Sequence, residues 1–439
     1  MLKTLKQAWK TGDLKKKLLY TIFIMIVFRI GSIIPVPFLN VDALKGFMGN
    51  LSGGGALLMY FDTLSGGAFA QATLFALSIQ PHINASIIMQ LMSVAMPSLE
   101  RLQREGEEGR KRLNSITRVL TIFLGLSQGL AYYLFLRNNS YGGSSIIKYT
   151  SGGFGVYAAI VIISVFAAGT ALMMWLGERI NEEGVGNGVS VLLFAGIVSR
   201  MPVLVTKVAS YIYLAIKDPG QFWSYYILVP VYILVFLGMV WLIVFMNDAE
   251  RRIPILYAKR VVGRRMYDGQ NSSLPLKVGL AGVMPIIFAG SILMIPGMIN
   301  IFVRPTGTLK LVLDSISFNG WVHTILYFAL ILMFAYFYVS ISYNPLEISN
   351  NLKQSGGAIP GIRPGRPTTE FLARVLSKVT LMGALFLAFV AIFPIFFSSL
   401  TAGLSVGGTS IIILVGVALE TVKILQSQTM MRKYKGFLD

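Results

Sequence analysis

Ten apolar stretches, separated by polar or glycine-rich connections, set the pattern of this chain. They lie near positions 18–34, 74–96, 119–136, 154–176, 189–202, 226–246, 278–301, 321–341, 379–397 and 405–424. Each is long enough, or nearly so, to cross about 30 Å of hydrocarbon as a helix, the fifth being short. The pattern predicts an all-α polytopic membrane protein of ten transmembrane helices, with both termini on one side. Five spans followed by five fit two pseudo-symmetric halves, 1–205 and 206–439, in opposite orientations because each holds an odd number of spans.

One stretch departs from a plain greasy helix. Positions 65–96 are apolar enough for a membrane, yet they carry Gln71, Gln80, His82, Asn84, Ser86 and Gln90, with Pro81 in the middle. Read as a helix, this stretch must line something other than lipid, because unpaired polar groups are costly in hydrocarbon. Ile79, Ile83 and Ile87, at a spacing of four, fit ordinary core packing or a constriction that blocks ions by dewetting. Ahead of it, residues 49–67 are glycine-rich and enclose the short segment ALLMYFDTL. At about 1.5 Å per residue that segment is too short to span. It reads as an interfacial loop or as a re-entrant piece buried in protein.

Composition agrees with a membrane protein: 55% of the 439 residues are hydrophobic and only 13% are charged, against about 25% in soluble domains. The net charge of +19 would suit a nucleic-acid partner in a soluble protein, but here the distribution decides. The N-terminal tail, the loops at 97–118, 178–188, 247–277 and 343–378, and the C-terminal end hold 29 of the 38 Lys and Arg. The opposite loops hold 8, and Arg29 falls in the first span. By the positive-inside rule both termini are cytoplasmic. Lys15, Lys16 and Lys17 ahead of an apolar run have the outline of a secretory leader, but no small-residue cleavage site follows, so the run reads as a first span.

The loops at 247–277 and 343–378 are long as well as basic. The first carries Arg251, Arg252, Lys259, Arg260, Arg264 and Arg265 among apolar and tyrosine residues. The second presents Arg363 and Arg366 in the turn-forming run SGGAIPGIRPGRP. Such charge sets topology in every polytopic protein; loops this long also suit docking of a cytoplasmic partner.

Candidate chemistry is sparse. With no cysteine there is no disulfide and no thiol nucleophile, and the two histidines, His82 and His323, stand without the carboxylates a metal or an acid–base pair would need. Mid-span Asp and Glu, which an ion-coupled transporter needs, are almost absent, and no Walker-type nucleotide motif occurs. The reading is therefore a protein that is not an enzyme, with no cofactor and no direct nucleotide binding.

Several runs resemble signatures of the bacterial SecY/Sec61-alpha family of protein-translocation channels. LFALSIQPHINASIIMQLM is similar to that family's second span, and GTALMMWLGERINEEGVGNGVSVLLFAGIV to its fourth and fifth. FRIGSIIPVP, YAKRVVGRRMY, LPLKVGLAGVMPIIFAGSI, NPLEISNNLKQSGGAIPGIRPG and GGTSIIILV resemble further signatures, in family order over nearly the whole chain. The resemblance implies two five-helix halves around a central pore that passes unfolded preproteins across the bacterial cytoplasmic membrane and releases signal sequences and membrane spans sideways into lipid. It makes the segment at 56–67 a re-entrant plug with Leu57, Leu58, Met59, Tyr60, Phe61 and Leu64. It maps a pore ring onto Ile79, Ile83, Val189, Leu193, Met284 and Ile413, of which three are not isoleucine but all are bulky and apolar. It assigns the arginines and lysine of the two basic loops, Arg363 first, to docking of the SecA ATPase or the ribosome, and Asn84, Gln90 and Gln128 to a lateral gate. Small membrane subunits similar to SecE and SecG are the other implied partners, with preprotein signal sequences and lipids. Two rival functions remain beside it: a secondary transporter of small solutes, and an insertase or scaffold offering a greasy groove, which would need neither plug nor pore ring.

Overall fold

The computed structural model describes residues 6, 9–49, 56–150, 152–217, 224–257, 260–262, 265–267, 271–303, 306–316, 320–400 and 408–435. In α1 (Gly12–Gly31) the buried residues Leu14, Thr21, Ile24, Phe28 and Gly31 form one stripe, while Leu19, Phe23, Ile26 and Ile30 stay exposed, as a lipid-facing surface requires. The helix stops at Gly31 because Pro35 and Pro37 follow, and the chain turns extended. Two short helices come next, α2 (Val41–Gly49) and α3 (Ala56–Leu64).

The stretch read from sequence as one helix over 65–96 is not one. Residues 65–79 run as consecutive turns, with Ala72 and Ser78 at positive φ (42° and 54°), and α4 spans only Gln80–Ala95. Pro81 marks the change: it lacks an N–H, so it sits in the first turn of α4, where none is needed. The irregular backbone is satisfied by local turn bonds, such as Thr73 N–H to the Ala68 carbonyl, together with tertiary partners. Leu74 N–H donates to the Ile34 carbonyl at 3.0 Å, Val36 N–H to the Ala72 carbonyl at 3.1 Å, and Ala70 N–H to Asp62 Oδ1 at 2.8 Å. Non-helical backbone at membrane depth is tolerated only where protein buries it or a water-filled path runs beside it, and most of 64–81 is buried.

Beyond a short connection α5 (Pro97–Arg104) leads into α6 (Glu107–Arg137). A hairpin, β1 (Ser140–Tyr141) with β2 (Ser144–Ser145), turns on Gly142 and Gly143, both at positive φ. Then α7 (Gly152–Glu183) and α8 (Gly188–Lys217) run antiparallel. The fifth segment, expected short, is a 30-residue helix that continues through Pro202 because the residues beyond it stay apolar and helix-compatible. Small residues set the close approaches: a Cβ on Gly125 of α6 would lie 3.2 Å from Thr170 of α7, and one on Gly188 would run into the Gly177 carbonyl.

α9 (Ser224–Asp248) ends at β3 (Glu250–Tyr257), followed by the hairpin β4 (Arg260–Val262) with β5 (Arg265–Tyr267), and by β6 (Asn271–Lys277). After α10 (Met284–Val303), α11 (Thr308–Ile316), α12 (Trp321–Ser342) and α13 (Pro345–Gln354) comes β7 (Gly357–Ala358), then α14 (Arg366–Leu400) and α15 (Gly408–Lys435). The order β6-β3-β7 makes a three-stranded antiparallel sheet, with Ile253 opposite Leu274 and Tyr257 opposite Gly357.

Residues 1–230, 291–323 and 417–439 gather into one compact unit, and 231–290 with 324–416 into a second. The first has a core of Val36, Leu44, Phe69, Tyr132, Ile146 and Phe166 with their neighbours. In the second, Ile253, Leu276, Ile359, Leu372 and Leu376 pack the sheet onto α14. Among the described residues seven helices are long and apolar enough to cross a membrane. The other three expected spans correspond to α1, to the shortened α4, and to α10, which carries Pro296 within it. The fold is an all-α polytopic membrane protein with small strands in its connections.

Candidate functional site

The unit built around α3 and α4 brings together the expected plug and four of the expected ring residues. Ile79 caps α4, Ile83 follows one turn on, and Leu193 lies on α8; all three are buried, and Val189 is half-buried. Ile79 packs near Gly177 of α7, where an added Cβ would sit 3.4 Å from its Cδ1. In the second unit Met284 starts α10 half-buried, and Ile413 is buried in α15.

Of the plug residues, Leu58 and Leu64 are buried and Phe61 is half-buried; Leu57, Met59 and Tyr60 belong to α3, but their side chains lie outside the described residues. Phe61 stacks on Phe69 with ring centroids 5.5 Å apart, and Phe69 stacks on Tyr132 of α6 at 4.5 Å. The Tyr132 hydroxyl donates to the Phe69 carbonyl at 2.7 Å, tying the turn region to α6. Asp62, which the sequence reading passed over, is buried and ion-paired with Arg200 of α8. The signal was present: an acid inside a nine-residue apolar segment, and an arginine among the few cations of the loops expected to be extracytoplasmic.

The expected gate residues differ in exposure. Asn84 and Gln128 are half-buried, and Gln90 is exposed. The polar contacts that do join helices are others. Gln80 Nε2 donates to Ser291 Oγ of α10 at 3.0 Å and lies 3.6 Å from Met294 Sδ. His82 Nδ1 is 3.1 Å from Thr121 Oγ1 of α6, and Arg118 of α6 pairs with Glu178 of α7 at 2.8 Å. The buried Gln80–Ser291 bond and the partly buried His82–Thr121 contact favour one arrangement of the helices, whereas the Arg118–Glu178 pair is exposed.

The two basic loops, read separately in the sequence, share one sheet. Strand β3, which carries the exposed Arg251 and Arg252, pairs with β6 from its own loop and with β7 from the other. Arg260 and Arg265 lie on β4 and β5, while Lys259 and Arg264 fall outside the described residues. Arg363 is exposed, but the turn around it is fixed: its carbonyl accepts from Thr368 Oγ1 at 2.9 Å, the Gly365 carbonyl accepts from Ser349 Oγ at 3.2 Å, and Ile362 packs against the sheet core. Arg366 pairs with Glu370 at 3.1 Å in full exposure, where such a bridge stabilises little.

The SecY family model matches residues 73–422 of this chain. The protein translocase subunit SecY of Streptomyces coelicolor is 42% identical over 447 residues, covering all of both chains. That of Mycobacterium tuberculosis is 37% identical over 465 residues, again end to end. Among solved structures, one titled "The structure of a protein conducting channel" matches with a TM-score of 0.67 at 19% identity, covering 94% of this chain and 92% of its own. "Sec61 in the Canine ribosome-channel complex from the endoplasmic reticulum" matches with a TM-score of 0.63 at 18% identity and the same coverage. At these identities the structural likeness speaks for the fold.

Proposed function

We propose, on the premise that this chain belongs to the SecY family and is a protein-conducting translocation channel of the bacterial membrane, a division of labour among its residues. Like its family it is a channel and not an enzyme. Ten spans in two halves, 1–205 and 206–439, surround the path, and the charge distribution puts both termini in the cytoplasm. Ile79, Ile83, Val189, Leu193, Met284 and Ile413 form the constriction, and α3 is the plug that seals it. Arg251, Arg252, Lys259, Arg260, Arg264, Arg265, Arg363 and Arg366 dock the SecA ATPase or a ribosome, and small subunits similar to SecE and SecG flank the spans. Energy comes from the ATPase, the ribosome or the membrane potential, because the sequence has no Walker-type nucleotide motif. The lateral gate lies along α4 and α10, with Gln80 and Ser291 as its polar bridge beside Asn84, Gln90 and Gln128.

The observation that carries this reading is the buried, irregular backbone from Leu64 to Ile79. Non-helical backbone in a membrane protein is tolerated where it is buried in protein or lines a water-filled path, and a re-entrant seal beside a path uses both conditions. Ile83 supplies the test, since the chain has no cysteine and Ile83→Cys gives a single thiol. Buried at rest, that thiol should resist modification, and it should crosslink to a preprotein arrested in transit. An arrested chain that never crosslinks there removes Ile83 from the path.

A further inference from the structure

Charge, as well as packing, holds the turn that follows α3. The Asp62 side chain is only 4% exposed; it is ion-paired with Arg200, and its Oδ1 also accepts the Ala70 N–H at 2.8 Å. Four residues on, the Gly66 carbonyl accepts from Arg29 Nη1 of α1 at 3.1 Å and from Ser199 Oγ of α8 at 3.3 Å. A Cβ on Gly67 would lie 3.5 Å from Arg200 Nη1, so two guanidiniums converge on one short turn. α8 is shaped to receive it. Gly196, Ser199 and Arg200 fall at i, i+3 and i+4 on one face, and a Cβ on Gly196 would come within 2.6 Å of the Leu64 carbonyl.

Packing alone gives no reason for an acid here. A leucine would suit the rest of ALLMYFDTL, whereas a carboxylate taken out of water is tolerated only when it is paired and hydrogen-bonded. Breaking its pair strands a buried charge, so the geometry favours one position of α3 strongly and makes departure from it abrupt. Arg29, exposed at the end of α1, adds a second cation that binds the turn through a carbonyl and needs no acid.

We propose that Asp62, Arg200 and Arg29 form an electrostatic latch that fastens α3 to α1 and α8 and sets the threshold for opening the channel. This rests on the reading of α3 as the plug. Opening must separate the Asp62 carboxylate from the Arg200 guanidinium, and the engaged substrate and its motor supply that work. A weakened latch therefore leaks at rest and lowers the demand placed on the signal sequence.

The test uses the full chain with its small membrane subunits in planar bilayers, recording resting ion conductance. Asp62→Arg and Arg200→Asp should each raise it by about tenfold, and the double exchange Asp62→Arg with Arg200→Asp should return it toward the parental value. Transport of a preprotein with an intact signal sequence should persist in all three, which shows that they fold. Deletion of 56–64 is the reference for a missing plug. If the deletion raises conductance but the single variants do not, the latch is refuted and the plug stands; if the deletion changes nothing, both fall. Single variants that leak with no recovery in the double also refute pairing. Should a reversal variant fail to insert, Asp62→Asn reads the same quantity with the shape preserved, and parental conductance in it overturns the latch.

Discussion

Arg363→Glu is expected to lower ATPase-driven preprotein transport roughly a hundredfold, the scale of a central arginine lost from an interface, while membrane insertion and thermal stability stay at parental values. The separation of the two effects follows from the geometry. Arg363 is exposed, so its side chain supports nothing in the core. Its backbone is held by Thr368, by the Ser349 hydroxyl on the neighbouring Gly365 carbonyl, and by Ile362 in the sheet core. The guanidinium is thus presented from a fixed turn, and little ordering entropy is lost when a partner binds it. Arg366→Glu should cost much less, because Arg366 is at rest in an exposed pair with Glu370. Transport by reconstituted vesicles, measured with the two variants side by side, checks the contrast. Equal losses would mean that bulk loop charge, and not the fixed turn, does the docking.

Gly188→Val is expected to destabilise the fold by about 3 kcal/mol, the upper range for an overpacked contact. A Cβ at 188 would meet the Gly177 carbonyl, a backbone atom that no rotamer change can move aside, so α7 and α8 must part. Asn181 Oδ1 accepts the Gly188 N–H at 2.7 Å and would lose that bond as the helices separate. Gly153→Val, where nothing lies within 4 Å of the new Cβ, is the control. Thermal unfolding in detergent should show a clear drop for the first and little change for the second.

The seven long helices were legible in the sequence because hydropathy alone decides them, and the charge asymmetry between the two sets of loops was legible for the same reason. The turns at 65–79 were not. Their residues are as apolar as a helix needs, and what stops a helix is non-local: the Ile34 carbonyl, the Asp62 carboxylate and the Ala72 carbonyl take part in bonds that no periodicity reveals. The local hints were Gly66 and Gly67, both at positive φ, and Pro81, which marks the start of α4. The sheet that joins the basic loops escaped for a related reason, since β7 has two residues and pairs with Tyr257 across a hundred positions. In the candidate site, the polar stripe on 80–90 pointed to lining residues, but partner choice came from the fold. Gln80 meets Ser291, and Asn84 and Gln90 face different surroundings.

The latch and the docking turn place control at opposite ends of one event. On the proposed reading, a cytoplasmic partner engages Arg363, and the work it delivers has to reach the contact between Asp62 and Arg200. Both depend on the chain being a conduit for polypeptide. The measurement that tests this most directly is transport by the purified chain, reconstituted with its small membrane subunits in lipid vesicles and given the ATPase, ATP and an unfolded preprotein. The account predicts preprotein inside the vesicles, protected from added protease, only when ATP and this chain are both present. Preprotein that stays protease-sensitive with every component active would contradict it.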